Sequence, residues 1–224
     1  MEGALCRTSH FDYSFFPMVL RHLTLAVAVF LAACGSNASQ GAADYQMAVK
    51  YMHGQGVTKD EQKAMTYLQK AVEAGSDRAQ LALGYFYLQG TGGVAKDTAK
   101  AVEFFTMAAK QGNRDAQYNV GLAYVRGEGV EKDMAKGYEW FEKAAYQDDA
   151  GAQYNLGVMS LNGEGREADP LLSHIWFRLA HEKTYGGADK GMEAAKSGMT
   201  EDQIKEIERA YAKIARKIRK PTGM

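Results

Sequence analysis

The side chains with the greatest chemical reach in this 224-residue chain are two cysteines, five histidines and a pair of glutamates in equivalent loops. Cys34 stands directly after Ala32 and Ala33 at the end of an apolar run. If that run is a leader, Cys6 is lost with it, and the thiol of Cys34 is free for modification rather than for an internal disulfide. Beyond the run only His53, His174 and His181 remain. None stands at metal-ligand spacing from another His or Cys, so no metal and no cofactor is expected. Glu128 and Glu164 could serve a glycan hydrolase only if they faced each other across a cleft, whereas equivalent loops hold them side by side. The sequence has no GxSxG, HExxH, P-loop or CxxC. Its recurrent GxG lacks the third glycine and the preceding strand of a dinucleotide site. Lys+Arg 27 against Asp+Glu 27 leaves no net charge, which removes the electrostatic argument for a nucleic-acid partner.

The elements that position these groups begin with an address. From Met18 the chain runs through the basic Arg21 into an apolar stretch from Leu23 to Ala33. The stretch is too short for a bilayer core that needs about 20 residues, and it has the layout of a secretory leader. Leu31-Ala32-Ala33-Cys34 resembles the lipobox of bacterial lipoproteins. That resemblance implies that residues 18–33 are removed and that Cys34 becomes an acylated first residue. Several acyl chains anchor durably where a single chain does not. Gly35-Ser36 lacks the aspartate associated with inner-membrane retention, so the same resemblance places the anchor at the periplasmic face of the outer membrane. Residues 1–17 carry Glu2 and Asp12 where a leader should be basic, and they read as an extension upstream of a start at Met18. Residues 34–42, rich in Ser, Gly, Ala and Asn, read as a flexible tether.

The body repeats. Blocks beginning at Ala43, Ala79, Ala116 and Ala152 align with spacings of 36, 37 and 36, giving units 43–78, 79–115, 116–151 and 152–187. In each unit apolar and aromatic residues at helical spacing form a helix A, which stops at a glycine such as Gly127. A glycine-rich connector follows, pinned by a valine. Asp60, Asp97, Asp133 and Asp169 then stand where a carboxylate caps a helix B, with Pro170 at the tolerant first position. Helix B carries Tyr67-Leu68, Phe104-Phe105, Trp140-Phe141 and Trp176-Phe177 as core candidates. Gly84, Gly121 and Gly157 recur inside helix A despite a cost of about 1 kcal/mol each relative to alanine, which predicts close helix packing. Ala101, Gly137 and Ser173 are the small partners expected opposite.

The pattern Ala-x-Tyr-x-Leu-Gly-x-x-Tyr-x-x-Gly-x-Gly-Val-x-x-Asp-x-x-Lys-Ala-x-x-Trp-Phe-x-Lys-Ala-Ala resembles the Sel-one-like repeat, a relative of the tetratricopeptide repeat, over about 43–187. The third unit fits best. The first has Ala48 for the inner glycine, and the fourth has Ser160 for the second tyrosine and Arg166 for the loop valine. The resemblance implies an all-α, right-handed α-solenoid of about four helix-turn-helix repeats. Residues 188–224 are expected to close it as a capping helix. Thr200 and Gln203 make a capping box there, and Ile204, Ile207, Tyr211, Ile214, Ala215 and Ile218 fall on one face.

A repeat that cannot bury its apolar stripe alone must stack, and stacking leaves an inner wall for a partner. Projecting helix A at about 100° per residue selects Asn119, Leu122, Ala123 and Arg126 in the third unit. The corresponding residues are Ala82, Tyr85, Phe86 and Gln89 in the second, Asn155, Val158, Met159 and Asn162 in the fourth, and Gln46, Val49, Lys50 and His53 in the first. The residues expected to touch a protein or peptide are Asn119, Arg126, Phe86, Gln89, Asn155, Met159, Asn162 and His53. The expected function is a membrane-anchored interaction scaffold, adaptor or regulator in the cell envelope. The alternatives are an immunity or inhibitor protein that blocks an effector enzyme, and the disfavoured glycan enzyme.

Overall fold

The computed structural model describes residues 38–219, and among them there are ten helices and no strand. Residues 38–53 form α1. It is followed by α2 (Glu61–Glu73), α3 (Asp77–Gln89), α4 (Thr98–Lys110), α5 (Arg114–Arg126), α6 (Met134–Tyr146), α7 (Ala150–Asn162), α8 (Pro170–Glu182), α9 (Ala188–Ser197) and α10 (Glu201–Arg219). The chain is an all-α solenoid: α1, α3, α5 and α7 are the A helices and α2, α4, α6 and α8 the B helices; α2 to α8 each pack on the next helix, and Ala48 of α1 joins the core cluster of Leu68 and Ala71 on α2. No described helix is long and apolar enough to cross a membrane.

Local chemistry sets the punctuation. The side chains of Asp60, Asp97, Asp133 and Asp169 accept from the backbone N–H of Lys63, Lys100, Lys136 and Leu172, which satisfies donors that a helix start leaves open. Ser76, Asn113 and Asp149 do the same for α3, α5 and α7, accepting from Ala79, Ala116 and Ala152. At the other end of α5, Gly127 takes φ 71° and donates its N–H to the Ala123 carbonyl at 2.8 Å.

Packing then turns hairpins into one body. Ala79, Ala116 and Ala152, with Ala71, Ala108, Ala144 and Ala180, are fully buried at the A–B crossings. Phe105, Phe141, Trp176 and Phe177 fill the space between them. Each large apolar side chain so buried contributes about 1.5–3 kcal/mol. A single hairpin has too few of them to offset its ordering entropy, so stability belongs to the array. The recurrent glycines make this possible. A Cβ on Gly84, Gly121 or Gly157 would lie 2.5, 2.6 or 2.8 Å from the ring of Phe105, Phe141 or Phe177. The expected small residues lie at the same crossings: the Ser173 hydroxyl donates to the Gly157 carbonyl at 2.7 Å, and a Cβ on Gly84 or Gly137 would be 3.2 Å from the carbonyl of Ala101 or Gly121.

Three expectations are revised. Residues 38–42, composed like a tether, belong to α1, because Gly41 is buried with room for only a hydrogen against the Ala74 Cβ. Residues 34–37 and the leader lie outside the described residues. The C-terminal part is two helices rather than one. Ala188 follows Ala152 at the repeat spacing, and α9 packs on α8 where a further helix A would stand, with Gly191 against the Phe177 ring. Finally, α10 closes the B side, with Tyr211 and Ala215 buried and Ile214 and Ile218 packed on the core. Ile204, by contrast, stays exposed at the start of the helix. The Thr200–Gln203 capping box is present, with the Thr200 N–H donating to Gln203 Oε1 at 2.9 Å and the Gln203 N–H to Thr200 Oγ1 at 3.3 Å.

Candidate protein-interaction face

Stacking at a constant spacing brings the outward residues of successive A helices into rows. The four third-unit residues converge: Asn119, Leu122, Ala123 and Arg126 line one depression of about 100 Å³. Its other wall comes from the preceding helix B through Val102 and Phe105, and Glu128 joins at the rim. Those wall residues escape a reading that projects helix A alone, since only the crossing of α4 and α5 brings them there.

The rows are cross-linked. Asn119 Nδ2 donates to the hydroxyl of Tyr85 on α3 at 2.8 Å, and also to the Asp115 carbonyl at 2.8 Å. Tyr85 itself makes a T-shaped contact with Phe105 at 5.2 Å and is 38% exposed, so the ring is held on one side and open to solvent on the other. Arg126 is exposed and lies 3.9 Å from Glu128, a loose pair that costs little to open. Asn155 Nδ2 donates to the Gly151 carbonyl at 2.9 Å, and Asn162 Nδ2 to Glu164 Oε1 at 3.2 Å. Gln89 and His53 are exposed. Tyr118, between α5 and α7, has its hydroxyl pushed above the usual tyrosine range, chiefly by burial, and stays neutral at any physiological pH.

One row points inward instead. Met159 is 3% exposed and belongs to the core, and Ala123 is 6% exposed. Phe86 packs against the cluster of Ala48, Leu68 and Ala79 and closes on Gly92. The reason is angular: seven residues at about 100° each return to within about 20° of the starting direction, here the buried first alanine of the unit. Met159 and Phe86 therefore support the face from beneath, while the rows through Asn119, Tyr85 and Arg126 form it. Lys50, at the same position in the first unit, is exposed.

A second set of residues, invisible to the apolar pattern, fixes the stacking. Gln80, Gln117 and Gln153 follow the first alanine of their units and are buried. Gln117 Nε2 donates to the Ala109 carbonyl at 3.2 Å, and its Oε1 accepts from Gln147 Nε2 at 2.8 Å. Gln111 Nε2 donates to Gln80 Oε1 at 2.7 Å. In the fourth unit the outer glutamine is replaced by Lys183, which pairs with Asp148, and Gln153 Oε1 is buried without a partner. The signal for this spine was present as a polar residue repeated at core phase. Among the described residues no group of His, Cys, Asp and Glu clusters as a metal would require. Glu128 and Glu164 are each engaged by the end of their own helix A, through Arg126 and Asn162.

Helical hairpins stacked on a polar spine, with an open face of mixed apolar and amide character, define a helical-repeat solenoid. The chain belongs to the Sel1 repeat family, whose model matches it at residues 41–76, 77–113, 114–149 and 150–184. Among solved structures it is similar to a Sel1 repeat protein from Oxalobacter formigenes, at 31% identity and a TM-score of 0.65 over 68% of this chain and 44% of that one. It is also similar to a protective antigen present in uropathogenic Escherichia coli strains that displays an SLR fold, at 25% identity and a TM-score of 0.54 over 80% of this chain and 46% of that one. The chain thus spans less than half the length of either. No curated protein matches it. Repeats of this family generally serve as protein–protein interaction modules and typically act as non-enzymatic scaffolds.

Proposed function

We propose that this chain is a lipid-anchored scaffold of the bacterial cell envelope, attached through Cys34 at the periplasmic face of the outer membrane, that holds a segment of another protein along its helix-A rows. The observation that carries the reading is the convergence of Asn119, Leu122, Ala123 and Arg126 on one depression. There an apolar floor lies beside a guanidinium and an amide that donates to the Tyr85 phenol, which is the mixture found where proteins grip one another. The neutral total charge fits an interface that selects by shape and hydrogen bonds rather than by long-range attraction. The anchor rests on the apolar run before Cys34 and on that cysteine, and it would hold the rows close to the membrane.

The test places a photo-crosslinking residue at Arg126 or Gln89, and for comparison at Glu139, an exposed residue of a B helix. Adducts are then sought in intact cells. The proposal expects a discrete partner captured from Arg126 and Gln89 and not from Glu139. Equal capture from both faces, or none from the helix-A rows, refutes it. Cys34→Ser should separately abolish acyl labelling and release the chain from the membrane fraction; membrane retention without labelling would remove the anchor while leaving the binding face standing.

A further inference from the structure

On the B-helix side, away from the rows described above, α6, α8 and α10 border an open cleft of about 330 Å³, at the lower end of the ~300–1,000 Å³ typical of small-ligand sites. Its floor is hydrocarbon and aromatic: Leu171, Ile175, Trp176 and Ile214, with Tyr146 edge-on to Trp176 at 5.6 Å. Arg166, Lys213 and Lys217 stand around it, and none of the three has a carboxylate partner among the ion pairs of the described residues. Lys217 Nζ lies over the Tyr146 ring at 5.5 Å, and Arg166 donates to the Tyr138 hydroxyl at 3.3 Å while its guanidinium covers that ring at 5.2 Å. Two carboxylates also face the cleft. Asp169 is committed to capping α8 through the Leu172 N–H at 2.9 Å, which leaves Glu142 against three cations. Arg166 stands where the first three units have Val57, Val94 and Val130, so the basic rim is particular to this end of the array.

We propose that this cleft binds a medium-chain aliphatic carboxylate, its tail on the Leu171–Trp176 floor and its head among Arg166, Lys213 and Lys217. A hydrocarbon tail is favoured over a peptide because the cleft is walled by helices whose backbone groups are already paired. The amides of an extended peptide would be desolvated there with few partners, whereas an alkyl chain needs none. A free acid is favoured over a two-chain lipid because a cleft of about 330 Å³ has room for one alkyl chain and not for two.

The experiment uses the full-length chain carrying Trp140→Phe, which leaves Trp176 as the sole tryptophan, and follows its fluorescence as dodecanoate is added below its micelle concentration. The inference expects a saturable change. Dodecanol should bind about tenfold or more weakly, and Lys213→Glu with Lys217→Glu should weaken dodecanoate by about tenfold or more, as loss of charge pairing near a protein surface implies. Arg166→Val, which restores the residue type of the other units, should weaken it several-fold while leaving the circular dichroism unchanged; it carries the test should the double reversal fail to fold. Equal affinity for dodecanol and dodecanoate, indifference to these substitutions, or no saturable change overturns the inference. So does a response confined to phosphatidylglycerol vesicles, or to a peptide ending in a leucine carboxylate. None of these outcomes bears on crosslinking from Arg126.

Discussion

Gly121→Ala tests the claim that the helix-A glycines exist for ring packing. A methyl at this position falls 2.6 Å from Cδ1, 2.8 Å from Cε1 and 3.1 Å from Cγ of Phe141, so the ring must retreat. It has little freedom to do so, being 1% exposed and held by Tyr118 at 5.6 Å. Intrinsic helix propensity favours alanine by about 1 kcal/mol, while overpacking a close-packed core costs about 1–3 kcal/mol. The net expectation is a destabilisation of about 1 kcal/mol, read as a fall of about 2–4 °C in the unfolding temperature for an array of this size. The sign should reverse when the ring is removed: in a Phe141→Leu background the same methyl meets no aromatic edge, and Gly121→Ala should stabilise by up to about 1 kcal/mol. The coupling between the two sites is then about 2 kcal/mol, well beyond the additivity expected of independent positions. Urea unfolding followed by far-UV circular dichroism on the four proteins of the cycle measures it. Gly121→Ala more stable than the native chain, or a coupling near zero, would refute the reasoning.

Two further outcomes follow from the caps and the spine. Lys183→Gln restores the outer amide of the glutamine spine and gives the buried Gln153 Oε1 a donor; it forfeits only the exposed pair with Asp148, and a net gain of about 1 kcal/mol is expected in thermal unfolding. A loss would show that the fourth unit tolerates its orphan acceptor for another reason. The backbone N–H of Lys136 holds the Asp133 carboxylate below its ordinary range. Because the folded value is the depressed one, the stabilisation is complete above the unfolded value near about 4 and disappears as pH falls through the folded value. The urea midpoint of the native chain should therefore exceed that of Asp133→Ala at neutral pH and converge on it in acid; a gap that widens on acidification contradicts the cap.

How much was legible depended on whether a feature obeyed a local rule. Aspartates ahead of the B helices, the terminal glycine of each helix A and the Thr200 box are one-turn phenomena, and each stands where the sequence places it. Gly84, Gly121 and Gly157 signalled proximity through their cost, although the neighbour that demands them is a phenyl ring more than a small residue. Met159 is buried and Phe86 half-buried, away from the expected face, because a helical wheel has no absolute zero: its orientation is set by what the helix packs against.

Sequence alone determined the repeat, its period, its helix limits and the absence of catalytic signatures, because these follow from short-range periodicity and from which side chains compete for the first and last turns of a helix. Only the tertiary structure decided that residues 38–42 begin α1, that α9 occupies the next A position, and that α4 supplies one wall of the depression around Asn119. These are contacts between residues distant along the chain. Their geometry depends on the angle at which one helical layer settles on the next, and no single-helix pattern encodes that angle.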